Sequence, residues 1–179
     1  TFPAFHRGAA PRLARRFRRS IHIIDATVIE LVSSCVDWAN HNRLKAAIKC
    51  HLRLSLRTLL PNFAFLSSAR DNDVQHVRRI CEGLQRGEVL LCDRGFHLMA
   101  HFFELTERGV FFVTRAREDV LLKVVHRCGG AKDPRILKDE HVVTTGHWVK
   151  GHYPDKLRRV TARVVVDGQE CVLTFLTNN

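Results

Sequence analysis

No apolar run in this chain approaches the ~20 residues needed to cross a bilayer, and the N-terminus has no apolar stretch of the secretory kind. Neither membrane insertion nor secretion is therefore expected. Nor does any pair of the six cysteines stand in a CxxC spacing. Cys35, Cys50, Cys81, Cys92, Cys128 and Cys171 are scattered, most of them inside apolar runs where cysteine acts as a small hydrophobe. They read as reduced and structural, which fits a cytosolic chain. Eleven histidines do not make a zinc site, because the paired spacing of His147 and His152 has no cysteine nearby to complete a tetrahedral set. Acidic residues are scarce: 18 Asp and Glu face 29 Lys and Arg, a net charge of +11. That balance favours a polyanionic partner such as nucleic acid over an acidic small molecule, and leaves open a soluble basic surface. An initiating methionine is also missing. The chain opens at Thr1, so an internal slice of something longer is expected.

What is present suffices for one core, since 179 residues with 45% apolar content bury one domain well but not two large ones. The leading segment, residues 1–20, carries Arg7, Arg12, Arg15, Arg16, Arg18 and Arg19, with Leu13 and Phe17 spaced to share a helical face. It either grips phosphates or is a solvated basic face held by two apolar anchors. IHIIDATVIEL follows, and its alternation puts Ile21, Ile23 and Asp25 on one side of a strand, His22 and Ile24 on the other. AAIKCHLRLSL and FAFLSS, divided by a turn signal at Leu60 to Asn62, complete a three-stranded meander.

From Asp73 to Gly87 the period changes, with Val74, Val77, Ile80, Cys81 and Leu84 forming one helical stripe, Asp73 placed as N-cap, Gly83 and Gly87 at the end, and Arg78 and Arg79 outside. EVLLC then reads as a short strand buried on both faces, a helix holding Leu98, Met99, Phe102, Phe103 and Leu105 follows, and GVFFVTRA supplies another strand. Strand-helix-strand units are right-handed and parallel, and gather ligands at the carboxyl ends of their strands. Asp93, directly after Val89 to Cys92, sits at such an end.

If the strand bearing Asp25 lies beside the strand ending at Asp93, two carboxylates converge, and each would cost several kcal/mol to bury unpaired. Arg94 could be a plain salt-bridge partner for Asp93. Convergent carboxylates with oxygen-only ligation suit Mg²⁺ or Mn²⁺, which keep waters and take phosphate oxygens as co-ligands. In a basic protein that points to phosphodiester chemistry.

IDAT at Ile24 to Thr27, IKCH with Lys49 and His51, Asp73, DRGF at Asp93 to Phe96, FFVTR at Phe111 to Arg115 and the closing FLTNN together resemble the DDE transposases of bacterial insertion sequences, the insertion-sequence-four type most closely. The likeness runs in order from about Ile21 to Asn179, and the succession of motifs carries it. It implies an α/β, ribonuclease-H-like mixed sheet with flanking helices and a β-rich insertion, C-terminally truncated: a basic leading segment at 1–20, the catalytic core at 21–116 and the β-rich region at 117–179. LLKVVH, ILKDEHVVTT, RRVTARVVVDG and ECVLTFLT fit the last, with Asp167-Gly168 as a hairpin turn.

The resemblance implies that Asp25 and Asp93 are the first two catalytic carboxylates and metal ligands, jointly holding two divalent ions, Mg²⁺ or Mn²⁺, about 3.5 to 4 Å apart. Lys49, His51, Arg94 and Arg115 are the expected DNA contacts. Lys49 and His51 have like parity on the second strand, facing either the scissile phosphate or flanking DNA, or simply lining an exposed strand face. Transposon ends and target DNA are the implied partners, with a dimer in the full-length complex, in a bacterial, nucleoid-associated cytoplasmic setting.

The family's third carboxylate, a glutamate in a Tyr-x-x-Arg-x-x-x-Glu helix after a segment like FLTNN, has no counterpart up to Asn179, and Tyr153, the sole tyrosine, is followed by Pro154. Phe96 and Ala26 are mild departures. A transposase core cut before its last ligand, binding metal weakly and cleaving poorly, is expected. The alternatives are a relic or repurposed DNA-binding module without catalysis, or an unrelated basic protein in which Asp25 and Asp93 lie far apart.

Overall fold

The computed structural model describes residues 17–30, 47–129, 133–145 and 152–179. Arg7, Arg12, Leu13, Arg15, Arg16, Cys35 and His147 lie outside them. The three alternating runs become β1 (Ile21–Glu30), β2 (Ala47–Ser55) and β3 (Leu60–Ser68), joined as an antiparallel meander. The turn between β2 and β3 falls earlier than the Leu-Pro-Asn signal suggests. It occupies residues 56–59 and ends on Leu59 at φ 58°, so Pro61 lies inside β3, opposite Leu54. β3 is the outermost strand of the sheet, where proline's missing N–H costs no ladder bond.

Helix α1 (Asp73–Ile80) buries Val77 and Ile80, continued by Cys81 and Leu84, as its 3.6-residue stripe requires. Asn72, not Asp73, is the capping position; Asp73 is the first helical residue, where a carboxylate favours the dipole. The chain leaves the helix through Gly83 at φ 74°. Strand β4 (Val89–Cys92), a 3-10 turn at Arg94–Phe96, helix α2 (Met99–Glu107) and β5 (Phe111–Arg115) follow.

Four more strands come from the tail: β6 (Leu122–Arg127), β7 (Ile136–Thr144), β8 (Leu157–Val166) and β9 (Gln169–Thr177). Asp167 and Gly168 both have positive φ, 51° and 79°, the backbone a two-residue hairpin loop demands, with Val166 paired to Gln169 across it.

Among the described residues nine strands form one sheet in the order β3-β2-β1-β4-β5-β9-β8-β7-β6. β1, β4 and β5 are mutually parallel, and β2 is antiparallel to β1. The order 3-2-1-4-5 with only the second strand reversed in this stretch's central group is the mixed α/β sheet of a ribonuclease-H-like fold. The β-rich tail is continuous with it, because β9 pairs antiparallel to β5. Among the described residues no helix is long and apolar enough to cross a membrane.

The core lies on one face. Ile24, Leu90, Cys92 and Phe112 meet Val77, Ile80, Phe102 and Leu105 of the helices there. On the opposite face Ile21, Ile23, Val89, Leu91, Phe111 and Val113 line an open apolar groove of about 610 Å³. β4 is thus fully covered on the helix side alone: Leu90 and Cys92 are buried, Val89 and Leu91 half-buried. That corrects the expectation of a strand buried on both faces.

Candidate active site

Parallel pairing of β1 with β4 aligns Ile21 with Val89 and continues to Ile24 with Cys92. The next residue on each strand is an aspartate, Asp25 and Asp93. Asp93 keeps extended backbone, φ −79° and ψ 171°, so sheet spacing puts the two Cα atoms about 5 Å apart. Registered neighbours in a parallel pair point the same way. Since Ile24 and Cys92 are buried under the helices, Asp25 and Asp93 project from the other face, beyond the end of the apolar groove. Both are exposed, and among the described residues no hydrogen bond or ion pair reaches either side chain. Arg94 therefore does not form the simple salt bridge with Asp93 that sequence adjacency allows.

The row continues. Cys92 pairs with Thr114, so Arg115 follows beside Asp93, giving Asp25, Asp93 and Arg115 in transverse order across three parallel strands, midway along β1 and at the carboxyl ends of β4 and β5. Arg94 opens the 3-10 turn at the same end and is exposed. Oxygen-only donors, two carboxylates side by side and open to water, suit a hard divalent ion that completes its shell with solvent. Among the described residues no group of three or more His, Cys, Asp or Glu could hold a metal, so the pair stands without a third protein donor there. Cys92 is no nucleophile: burial pushes its thiol up to about 12.

Lys49 and His51 share a face, as their parity demands, but it is the helix face. In the antiparallel pairing His51 opposes Ala26, whereas Asp25 opposes Leu52; Ala26 packs against the core. The expectation that they face the scissile phosphate is thereby corrected: parity fixes that they travel together, and the helices cover their side. His51 is fully buried, hydrogen-bonded to Ser67 at 3.0 Å and stacked on Phe65 at 4.6 Å. Burial, then the neighbouring His76, lowers its pKa. Lys49 Nζ donates to Asp73 Oδ1 at 2.9 Å and to the Asp71 carbonyl at 2.8 Å.

Gly95, in the turn after Asp93, is not held by a left-handed backbone. It is not among the positive-φ glycines. A Cβ there would stand 3.3 Å from Asp73 Oδ2, tighter than ordinary contact, so a carboxylate from α1 crowds this position. Sequence reasoning placed Asp73 as a cap and missed this contact; a glycine in a turn that needs no left-handed backbone is the signal of such close approach.

A model of the family described as Transposase DDE domain matches residues 16–170. A curated protein of Sinorhizobium fredii described as a transposase, y4zB, is 30% identical over 176 residues, covering 96% of this chain and 48% of its own length. The chain thus spans about half the length of the curated relative it matches. Among solved structures, the piggyBac transposase synaptic complex with hairpin DNA aligns with 88% of this chain and 32% of its own at 11% identity and TM-score 0.46. Endonuclease V of Streptomyces avermitilis aligns with 87% and 64% at 14% identity and TM-score 0.34.

Proposed function

This chain belongs to the transposase DDE domain family, and from that we propose that it is the catalytic core of a DNA transposase in which Asp25 and Asp93 bind Mg²⁺ or Mn²⁺ for cleavage and transfer of DNA strands. The observation that carries this reading is the register: Ile24 opposite Cys92 makes the next two residues a pair of neighbouring, exposed carboxylates. The sheet register fixes their spacing, and among the described residues no hydrogen bond has to break before a cation is taken. A divalent ion held there supplies Lewis-acid activation of an oxygen nucleophile and neutralises charge at the phosphate. Arg115, next in the row, and Arg94, at the head of the turn, offer cations to DNA phosphates on either side of the carboxylates. Transposon ends and target DNA are the proposed partners, with a dimer in the full-length complex.

A second reading, DNA binding without cleavage, is favoured by the absence of a third carboxylate beside the pair among the described residues. The two readings separate in the longer protein. Asp93→Asn is expected to reduce Mg²⁺-dependent nicking by ~100-fold or more while DNA binding, measured by gel shift, is unchanged. Nicking that survives the substitution removes Asp93 from the site; a parent protein that binds DNA and never nicks it supports the second reading.

A further inference from the structure

Lys49 points away from the carboxylate pair, yet it is linked to the turn that carries Asp93. Its side chain is 13% exposed, against 27% for that of Asp73, and the Asp71 carbonyl fixes its ammonium from a second direction. Asp73 holds Lys49 with Oδ1 and presents Oδ2 to Gly95. Gly95 is the middle residue of the turn, whose ends are tied by Phe96 N–H donating to the Asp93 carbonyl at 3.1 Å and His97 N–H donating to the Arg94 carbonyl at 3.2 Å. Phe96 is locked in the core below. The turn can therefore shift towards α1 only by displacing a carboxylate that an ion pair immobilises.

We propose that Lys49 and Asp73 are positioning residues: their half-buried ion pair braces the Asp93 turn through Gly95, and so sets the reach of the Asp93 carboxylate relative to Asp25. Lys49 then serves the site from behind the sheet instead of touching DNA. His51, stacked beneath on Phe65 and 4.9 Å from His76, fills the space under the brace, and His76 in turn pairs with Asp71 at 3.1 Å. This inference rests on the proposed reading of Asp25 and Asp93 as metal ligands.

The test is a double-mutant cycle on the 179-residue chain, read by Mn²⁺ binding in electron paramagnetic resonance and by the amide resonances of Asp93 and Arg94. Gly95→Ala is expected to weaken Mn²⁺ binding by about 10-fold, the size typical of a lost supporting contact at a metal site, and to shift both amides. In an Asp73→Ala background the same Gly95→Ala change is expected to leave Mn²⁺ binding and the Asp93 amide unchanged, because the crowding carboxylate is gone. Lys49→Met should weaken Mn²⁺ binding by a similar factor, and Lys49→Arg should restore it to within about two-fold.

Equal effects of Gly95→Ala in both backgrounds overturn the brace, as does a Lys49→Met chain that binds Mn²⁺ normally but loses DNA affinity. Asp25→Asn and Asp93→Asn control for the site itself. If neither alters Mn²⁺ binding, the metal reading fails, while the amide shifts still decide whether Lys49 and Asp73 hold the turn. Far-UV circular dichroism on every variant separates a moved turn from an unfolded chain.

Discussion

His97, four residues beyond Asp93, is 9% exposed, packs edge-on against Phe102 at 5.2 Å and, among the described residues, has no hydrogen-bond partner at either ring nitrogen. Burial, with a smaller push from Arg117 and a small opposing pull from Asp119, lowers its pKa from 6.5 to about 4. Above pH 6.5 the ring is neutral in both folded and unfolded chains. Between 6.5 and 4 the unfolded chain takes up a proton that the folded chain refuses, so stability falls as pH falls, by about 1.4 kcal/mol per pH unit across that window. His51 and His101, also lowered first by burial, add to the same slope. Urea unfolding at pH 7 and pH 4.5 checks this. His97→Gln should reduce the acid-induced loss by about 2–3 kcal/mol, whatever it does to stability at pH 7, and an undiminished loss would show that His97 is not what titrates.

At the scale of elements, a buried arginine ties α1 to the sheet. Arg53 of β2, 7% exposed, donates to the carbonyls of Ile80 at 3.0 Å and Glu82 at 2.5 Å and to Asn62 Oδ1 at 3.1 Å. Those are carbonyls that a helix end leaves without partners. Arg53→Met would strand them in the core, and a loss of about 2–4 kcal/mol is expected from the denaturant midpoint; a loss below about 1 kcal/mol would mean that water reaches the helix end. Much of this arrangement was legible beforehand. The alternation of IHIIDAT and the apolar run ending in Asp93 are local patterns; they place Asp25 on one face of its strand and Asp93 at the end of another, while the adjacency of the two strands is a non-local pairing. Parity likewise grouped Lys49 with His51. What no local pattern contains is which face of the sheet receives the helices, so parity alone leaves open whether the pair faces DNA or lines an exposed strand face. The β2–β3 turn was misplaced because Leu59 takes up a left-handed backbone with no glycine or asparagine to announce it. The attachment of the tail is non-local too. Asn178 accepts from Phe112 N–H at 2.9 Å and donates to the Val110 carbonyl at 3.0 Å and Thr106 Oγ1 at 2.9 Å, fastening the end of β9 to β5 and α2 across more than 60 residues of sequence.

For the molecule as a whole, the distribution of charge decides where a polyanion would be gripped. In the β-rich tail the arginines largely neutralise their own sheet: Arg158 pairs with Asp139, Arg159 with Glu140 and Arg163 with Glu170. Residues 1–19 hold six arginines and no acid, so they supply +6 of the net +11 and leave +5 to the remaining 160 residues. Each arginine that settles on a DNA phosphate releases condensed counterions, and the observed binding constant then falls linearly with the logarithm of salt, with a slope of about −0.9 per phosphate contact. If DNA is the partner and this leading segment is its main electrostatic hold, replacing Arg12, Arg15, Arg16 and Arg18 with Gln should flatten the slope by up to about 3–4 units. Fluorescence anisotropy of a labelled duplex from 50 to 200 mM salt, roughly the range over which such contacts are lost, measures it. A slope unchanged by the four substitutions would move the grip to the rest of the chain, where exposed Arg94 and half-buried Arg115 would become the next contacts to neutralise. A parent chain with no salt dependence at all would remove nucleic acid as the partner.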